Sequence, residues 1–342
     1  MRVAQIIAGA PTGGAELFFE RLSIALTGAG EEVVVVIRRN AARAGRLRAA
    51  RLRPVELRFG GALDLATRWR LRAAVRRFRP RVAVAWMGRA AAAAPQGDWV
   101  LVGRLGGTYD LRRFRRCNHL VANTKGLVQW IANQGWPPER VHYLPNFAPD
   151  VGPAEPVPRL ALGVPEDAGT VLALGRLHRN KGLDILIRAM GLLPGVHLVV
   201  AGDGPERGTL AGLADRCGLG ERLHLLGWRE DTGGLLKTAD VLVCASRVEP
   251  LGNVIIEGWA ARRPVVAAAA EGPRELVHDG EDGLLVPIDD PKALAEAIRR
   301  VLEDRSRVEA LATAGRVRYE TEFSEPPVLA RWRDFLAHVE KP

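Results

Sequence analysis

Short runs of β-branched and apolar residues recur along the whole chain, and a helical stretch follows most of them. Seven runs fall at 2–8, 32–37, 54–58, 81–86, 99–103, 118–121 and 141–144, and six more at 170–174, 196–201, 222–225, 240–243, 264–267 and 283–286. In the second series the intervening helices are expected near 182–190, 205–217, 232–237, 252–262 and 291–303. Such alternation implies mostly parallel sheets covered by helices on both faces.

The series is interrupted once. "PNFAPDVGPAEPVPRLALGVPEDA" (145–168) holds six prolines and little periodicity, which reads as a linker between two domains. The 342 residues, 47% of them hydrophobic, suffice for two cores of ordinary size. The expected organisation is therefore a doubly wound domain over 1–148, a linker over 149–168 and a second doubly wound domain over 169–320. Ligands of such sheets bind in the crevice at the carboxyl ends of the strands. After Ser324 the stretch 324–340 places Val328, Trp332, Phe335 and Val339 at helical spacing. That apolar stripe either returns to brace the first domain or closes the second.

Charge is unevenly divided. Residues 1–150 carry 25 Lys/Arg against 10 Asp/Glu, whereas residues 151–342 carry 24 against 29. Within the basic half, "RRNAARAGRLRAARLRP" (38–54) and "RWRLRAAVRRFRPR" (68–81) set arginines beside Trp69, Leu71, Val75 and Phe78. A surface of that kind attracts anionic lipid, phosphorylated glycolipid or nucleic acid. The alternative is a general arginine bias, since arginines outnumber lysines 44 to 5. Cys117, Cys217 and Cys244 form no CxxC pair and read as reduced packing thiols. No long charge-free apolar run occurs and the N-terminus lacks a signal-peptide pattern, so the expected location is the cytoplasm.

Chemistry is expected on loops that follow strands. "GAPTGGAE" (9–16) opens a helix, where the N–H groups of Gly13 and Gly14 are placed to meet a phosphate or sugar; the structural reading is a tight turn with Glu16 at the positive helix end. Its spacing is not the GxGxxG of dinucleotide sites. "GRLHRNKGLDILI" (175–187) carries Arg176 and Lys181, two cations able to neutralise a diphosphate whose charge grows as its bond breaks, or else a solvated charged loop. "AGDGPE" (201–206) reads chiefly as turn chemistry. In "EPLGNVIIE" (249–257), Glu249 precedes a helix beginning near Gly252 and Asn253, and Glu257 lies about one turn inside it. The apolar neighbours Val254, Ile255 and Ile256 make an unpaired carboxylate there costly, so hydroxyl groups of a ligand are the expected partners. Two carboxylates also suit glycosidase acid–base work. The seven histidines are dispersed, and Asp289-Asp290 precedes a proline-started helix where capping is expected, so no metal site is expected.

Taken in order, "GGAE", "LPN", "GRLHRNKGLDIL", "AGDGP", "EPLGNVIIEGWA" and "GPRELVHDGEDGLLVP" resemble the retaining GT-B glycosyltransferases of family 4 over nearly the whole chain. The resemblance implies two Rossmann-like domains facing a central cleft, with acceptor held by the first and a nucleotide-sugar donor by the second, and neither metal nor cofactor. Carried onto this chain, it implies that Arg176 and Lys181 hold the donor diphosphate, Glu257 the ribose and Glu249 the transferred hexose. Gly13, Gly14, Asn146, Gly252 and Asn253 join the donor site. The family histidine after a first-domain strand is missing; "WVLVGRLGGTYDLRRF" (99–114) offers Arg104, Tyr109 and Asp110 on the acceptor side instead. "RLGGTYDL" and "WMGRA" are similar to bacterial enzymes of lipopolysaccharide and envelope glycans. With the basic first domain they imply a phosphorylated or lipid-linked acceptor, a glycolipid or oligosaccharide, and peripheral association with the inner face of the cytoplasmic membrane. The competing readings are a nucleotide-sugar 2-epimerase of the same architecture and a basic nucleic-acid-binding protein.

Overall fold

The computed structural model describes residues 1–61 and 64–340. Ala62 and Leu63, within the basic stretch at 38–81, lie outside the described residues. The chain divides into two units: Met1–Asn146 joined by the segment that starts at Glu325, and Phe147–Ser324.

The first unit is built on seven parallel strands: β1 (Arg2–Ile7), β2 (Glu32–Arg38), β3 (Val55–Leu57), β4 (Val82–Trp86), β5 (Val100–Leu105), β6 (His119–Ala122) and β7 (Val141–Tyr143). Their order is β3-β2-β1-β4-β5-β6-β7. Helices α1 (Gly14–Gly28), α2 (Ala41–Ala49), α3 (Leu65–Phe78), α4 (Met87–Ala93) and α5 (Lys125–Asn133) provide most of the connections. β4 is buried at every position, as expected of an inner strand covered on both faces.

The second unit repeats the plan with β8 (Thr170–Leu174), β9 (His197–Ala201), β10 (Leu223–Gly227), β11 (Val241–Cys244), β12 (Val265–Ala268) and β13 (Leu284–Val286), in the order β10-β9-β8-β11-β12-β13. Its helices are α6 (Leu183–Met190), α7 (Arg207–Arg216), α8 (Thr232–Thr238), α9 (Asn253–Ala260), α10 (Glu271–Leu276), α11 (Pro291–Glu303) and α12 (Arg305–Arg318). Asp290 caps α11 by accepting from the N–H groups of Lys292 and Ala293, the capping role read from its sequence. Each strand read from the sequence is present with ends shifted by at most two residues.

Two segments differ from expectation or resolve an alternative. The proline-rich stretch is not a free linker: Ala148, Val151, Leu162 and Val164 are buried in the second unit's core, because its apolar residues are close enough in sequence to reach that core together. The final helix, α13 (Glu325–Glu340), belongs to the first unit. Val328, Trp332, Phe335 and Val339 are all buried, Trp332 stacks on Trp86 at 6.4 Å, and Arg333 pairs with Glu31 at 3.0 Å. Phe335 also meets the ring of His142, at 4.8 Å.

His142 lies 3.0 Å from His119, nitrogen to nitrogen. Burial, then the positive potential of His119 and His338, pulls its pKa down to about 4. A histidine whose folded pKa is depressed resists a proton that the unfolded chain accepts, so folding stability rises with pH between about 4 and 6.5 and falls as pH drops through that window. Denaturant titrations at pH 7 and pH 5 are expected to show the first unit weakened at the lower pH, with His142→Gln flattening the difference.

Candidate functional site

In the second unit the strand order reverses between β8 and β11, which lie side by side. Crossovers leave these two neighbours in opposite directions, so their carboxyl ends are open to a ligand. Lys181 follows β8 and Glu249 follows β11. Lys181 Nζ donates to Glu249 Oε2 at 2.5 Å, and Ser246 Oγ donates to the same oxygen at 3.1 Å. Burial works against the Lys181 charge, but Glu249 outweighs it and holds the ammonium above its ordinary pKa. Glu249 therefore has partners within the protein, where the sequence suggested ligand hydroxyls.

Local glycines make this closeness possible. Gly182 adopts φ 61°, and a Cβ there would stand 1.9 Å from the carbonyl oxygen of Ala245. Any side chain would push the Lys181 loop away from the β11 loop. Gly202 and Gly204 of "AGDG" likewise meet the carbonyls of Gly175 and Leu177, so that motif serves close loop packing, in keeping with the turn reading. Arg176 is exposed and has no ion-pair partner among the described residues, whereas Lys181 is paired. Gly252, with φ 102°, is the N-cap of α9; Asn253 opens that helix and Glu257 follows one turn later, both half-buried.

One residue of this site escaped the sequence reading. Arg247 makes a two-pronged contact with Asp184 at the start of α6, 2.7 Å to each oxygen, and reaches Asp289 at 2.5 Å and the Arg179 carbonyl at 2.9 Å. The backbone N–H of Arg247 also donates to the Asn180 carbonyl. The guanidinium thus fastens the loop bearing Lys181 to the loop bearing Glu249. Asp184, three residues after Lys181, and Arg247, two before Glu249, were the available signals.

In the first unit the loop after β1 is wound around Glu16. Its carboxylate is buried, accepts from the Ala10 N–H at 2.7 Å, and fills the positions where side chains on Gly9 and Gly13 would lie. Gly13 and Gly14 therefore begin α1 beside an internal carboxylate. Arg104 corrects the sequence reading. It has no exposure, lies over Trp86 at 4.9 Å and Phe18 at 5.5 Å, and donates to Asn146. Burial lowers its pKa to about 10. A side chain so enclosed cannot line the acceptor surface; it anchors Asn146. Asp110 is also committed locally, capping the turn at Leu111–Phe114 and pairing with Arg112, while Tyr109 packs by Phe114. Tyr109 lies close enough to Arg104 for their charges to interact, whereas Asp110 is exposed and engaged with Arg112.

Comparison with known proteins bears on both units. The Glycosyltransferase Family 4 profile matches residues 12–149 and that of Glycosyl transferases group 1 matches residues 159–318. The lipopolysaccharide core biosynthesis glycosyltransferase LpsE of Rhizobium meliloti is 35% identical over 334 residues, spanning 95% of this chain and 96% of its own. The chain belongs to the family 4 glycosyltransferases. LpsD of the same organism is 34% identical, covering 95% of each chain. The crystal structure of Anabaena HepE in complex with UDP-glucose shares the fold of this glycosyltransferase, with a TM-score of 0.86 at 23% identity, over 99% of this chain and 100% of HepE. The fold is accordingly the GT-B class expected from the sequence.

The Arg247 contacts make a specific demand on this glycosyltransferase. Arg247→Met is expected to lower the transfer rate at least tenfold while the protein stays folded, because Lys181 and Glu249 lose their common brace. Combining it with Asp184→Asn should add little further loss, the non-additivity of two ends of one contact. Initial rates of the single and double variants, with melting temperatures alongside, check this.

Proposed function

We propose that the protein is a retaining hexosyltransferase that moves a sugar from a UDP- or GDP-linked donor to a glycolipid or oligosaccharide acceptor in the assembly of a lipopolysaccharide core. The observation that carries the reading is the Lys181/Glu249 pair at the switch point between β8 and β11. Two relatives named for lipopolysaccharide core biosynthesis and the HepE complexes with UDP and UDP-glucose support it.

In this reading an arriving diphosphate competes with Glu249 for the Lys181 ammonium. Arg176, exposed and unpaired, supplies the second positive charge. Glu249, released from Lys181, accepts from a hydroxyl of the transferred sugar, and Glu257 of α9 accepts from the ribose. Gly252 and Asn253 complete the donor surroundings within the second unit. As the bond from the anomeric carbon to the diphosphate oxygen breaks, the acceptor oxygen bonds to that carbon from the same face. The acceptor's proton passes to the departing diphosphate oxygen, so neither a protein base nor a metal is needed for the proton balance. The two cations stabilise charge that grows only in the transition state.

Donor screening with UDP-, GDP-, ADP- and TDP-sugars identifies the substrate, and proton NMR of the product reads its anomeric configuration. Lys181→Ala is expected to lower kcat by about 10²- to 10³-fold, with transfer by the intact enzyme surviving a chelator. Undiminished transfer by Lys181→Ala, or an inverted product, would defeat the assignment.

Membrane association belongs to the same reading. No helix among the described residues is long and apolar enough to cross a membrane. On α3, however, Leu65 and Trp69 stand one turn apart and are 69% and 72% exposed, with Arg68, Arg70 and Arg72 also exposed. Apolar anchors among cations suit the interface of an anionic bilayer. Flotation with anionic but not neutral liposomes is expected, and replacing Arg68, Arg70 and Arg72 by glutamate should abolish it; persistence after that reversal places the contact elsewhere.

A further inference from the structure

A second cationic site lies in the first unit. Arg38, Arg39 and Arg58, with Gly60 and Asp64, line a cavity of about 680 Å³. Arg38 ends β2, Arg39 follows it, and Arg58 follows β3, so all three stand at the carboxyl ends of neighbouring strands. This is the ligand-binding edge of a parallel sheet. The next residue, Asn40, caps α2 and donates to the Pro11 carbonyl at 3.1 Å, which ties the cavity's rim to the glycine loop after β1.

What separates these arginines from the rest of an arginine-rich surface is that three unpaired side chains converge on one cavity. Close by in sequence, Arg43 and Arg46 both pair with Glu20, and Arg48 pairs with Glu56. The side chains of Arg38, Arg39 and Arg58 make no hydrogen bond or ion pair among the described residues. The one acid of the cavity is already engaged: Asp64 accepts from the N–H of Gly60 at 2.8 Å and from the N–H and hydroxyl of Thr67 at 2.9 and 2.5 Å. Those bonds, and to a smaller extent the nearby charge of Arg58, hold its pKa down to about 2, and the bonds serve to cap α3. Three guanidinium groups are thus gathered around one concavity with a single, structurally occupied carboxylate. Composition alone explains many arginines, and those on α3 are unpaired too; it does not explain why three gather around a single concavity.

We infer that Arg38, Arg39 and Arg58 bind a phosphate group carried by the acceptor glycan. Guanidinium forks match phosphate oxygens in pairs, and three of them around a wide cavity suit a tetrahedral dianion on a larger molecule. The assignment rests on the proposed acceptor role of the first unit, and it adds the acceptor's chemical class: a phosphorylated sugar, engaged through the sugar's phosphate and not through a lipid headgroup.

Inositol hexakisphosphate, a soluble carrier of phosphate monoesters on a ring, serves as probe for calorimetric titration of the full chain at fixed salt. Arg38→Gln, Arg39→Gln and Arg58→Gln together are expected to raise its Kd at least tenfold. A control triple, Arg76→Gln, Arg77→Gln and Arg79→Gln at the far end of α3, should change it less than twofold. Equal weakening by both triples overturns the proposal in favour of diffuse surface charge. So does loss of binding to phosphatidic acid vesicles with the soluble probe unaffected, since that assigns the cavity to the membrane. Because all substitutions lie on exposed or half-buried side chains, unchanged melting temperatures are expected and verify folding. UDP titration of the same proteins separates the two readings: UDP binding unaffected by the cavity triple leaves the donor assignment standing whatever the probe shows, and absence of UDP binding in the unsubstituted chain removes the donor assignment while the probe still tests the cavity.

Discussion

Between β8 and β11 the strand order of the second sheet reverses, and the loops leaving these neighbours diverge from an edge that neither covers. Opposite charges placed there by two distant segments, 68 residues apart, meet at 2.5 Å. Much of the surrounding sequence keeps that meeting possible. Gly182 allows the backbones to touch, Ser246 orients the carboxylate, and Arg247 fastens both loops to α6 and to Asp289. Asp289 itself adopts φ 61°, an uncommon conformation for a residue with a side chain, at the point where its carboxylate meets Arg247.

Arginine serves three distinct purposes in this protein. Some, such as Arg43 with Glu20, neutralise buried acid within the fold. Arg104 is enclosed by aromatic rings and Asn146, where only a weakly hydrated, delocalised cation is tolerable. Others, on α3 and around the cavity at the ends of β2 and β3, remain exposed without neutralising partners. Net charge cannot separate these classes, because pairing depends on which acids the fold brings near.

The element pattern was legible because parallel strands buried on both faces must be nearly continuous apolar runs, and each ends where a polar loop begins. The stripe of α13 was equally legible, but not its destination: a row of apolar residues specifies that a groove is needed and not which one. Helices α10 and α12 were not read. α12 buries only Leu311, Ala312 and Gly315, too narrow a stripe to stand out, and Gly315 is required because Trp259 lies where its side chain would be. The proline-rich stretch misled for the opposite reason, since prolines break periodicity without preventing burial of the valines and leucines between them. At the site, Lys181 and Glu249 were chosen as residues of one ligand, and the structure joins them directly. Arg104 was chosen for its sequence position after a strand, yet that strand's end is buried.

Local composition determined the parallel sheets, the two-unit organisation, the glycine loops and the residues able to carry charge at their ends, because each follows from periodicity, backbone freedom or ionisation within a short window. Tertiary structure alone decided which charges are satisfied. Whether a guanidinium is braced, buried or left open depends on atoms contributed from elsewhere in the chain, and the distance between those atoms is not written in any one segment.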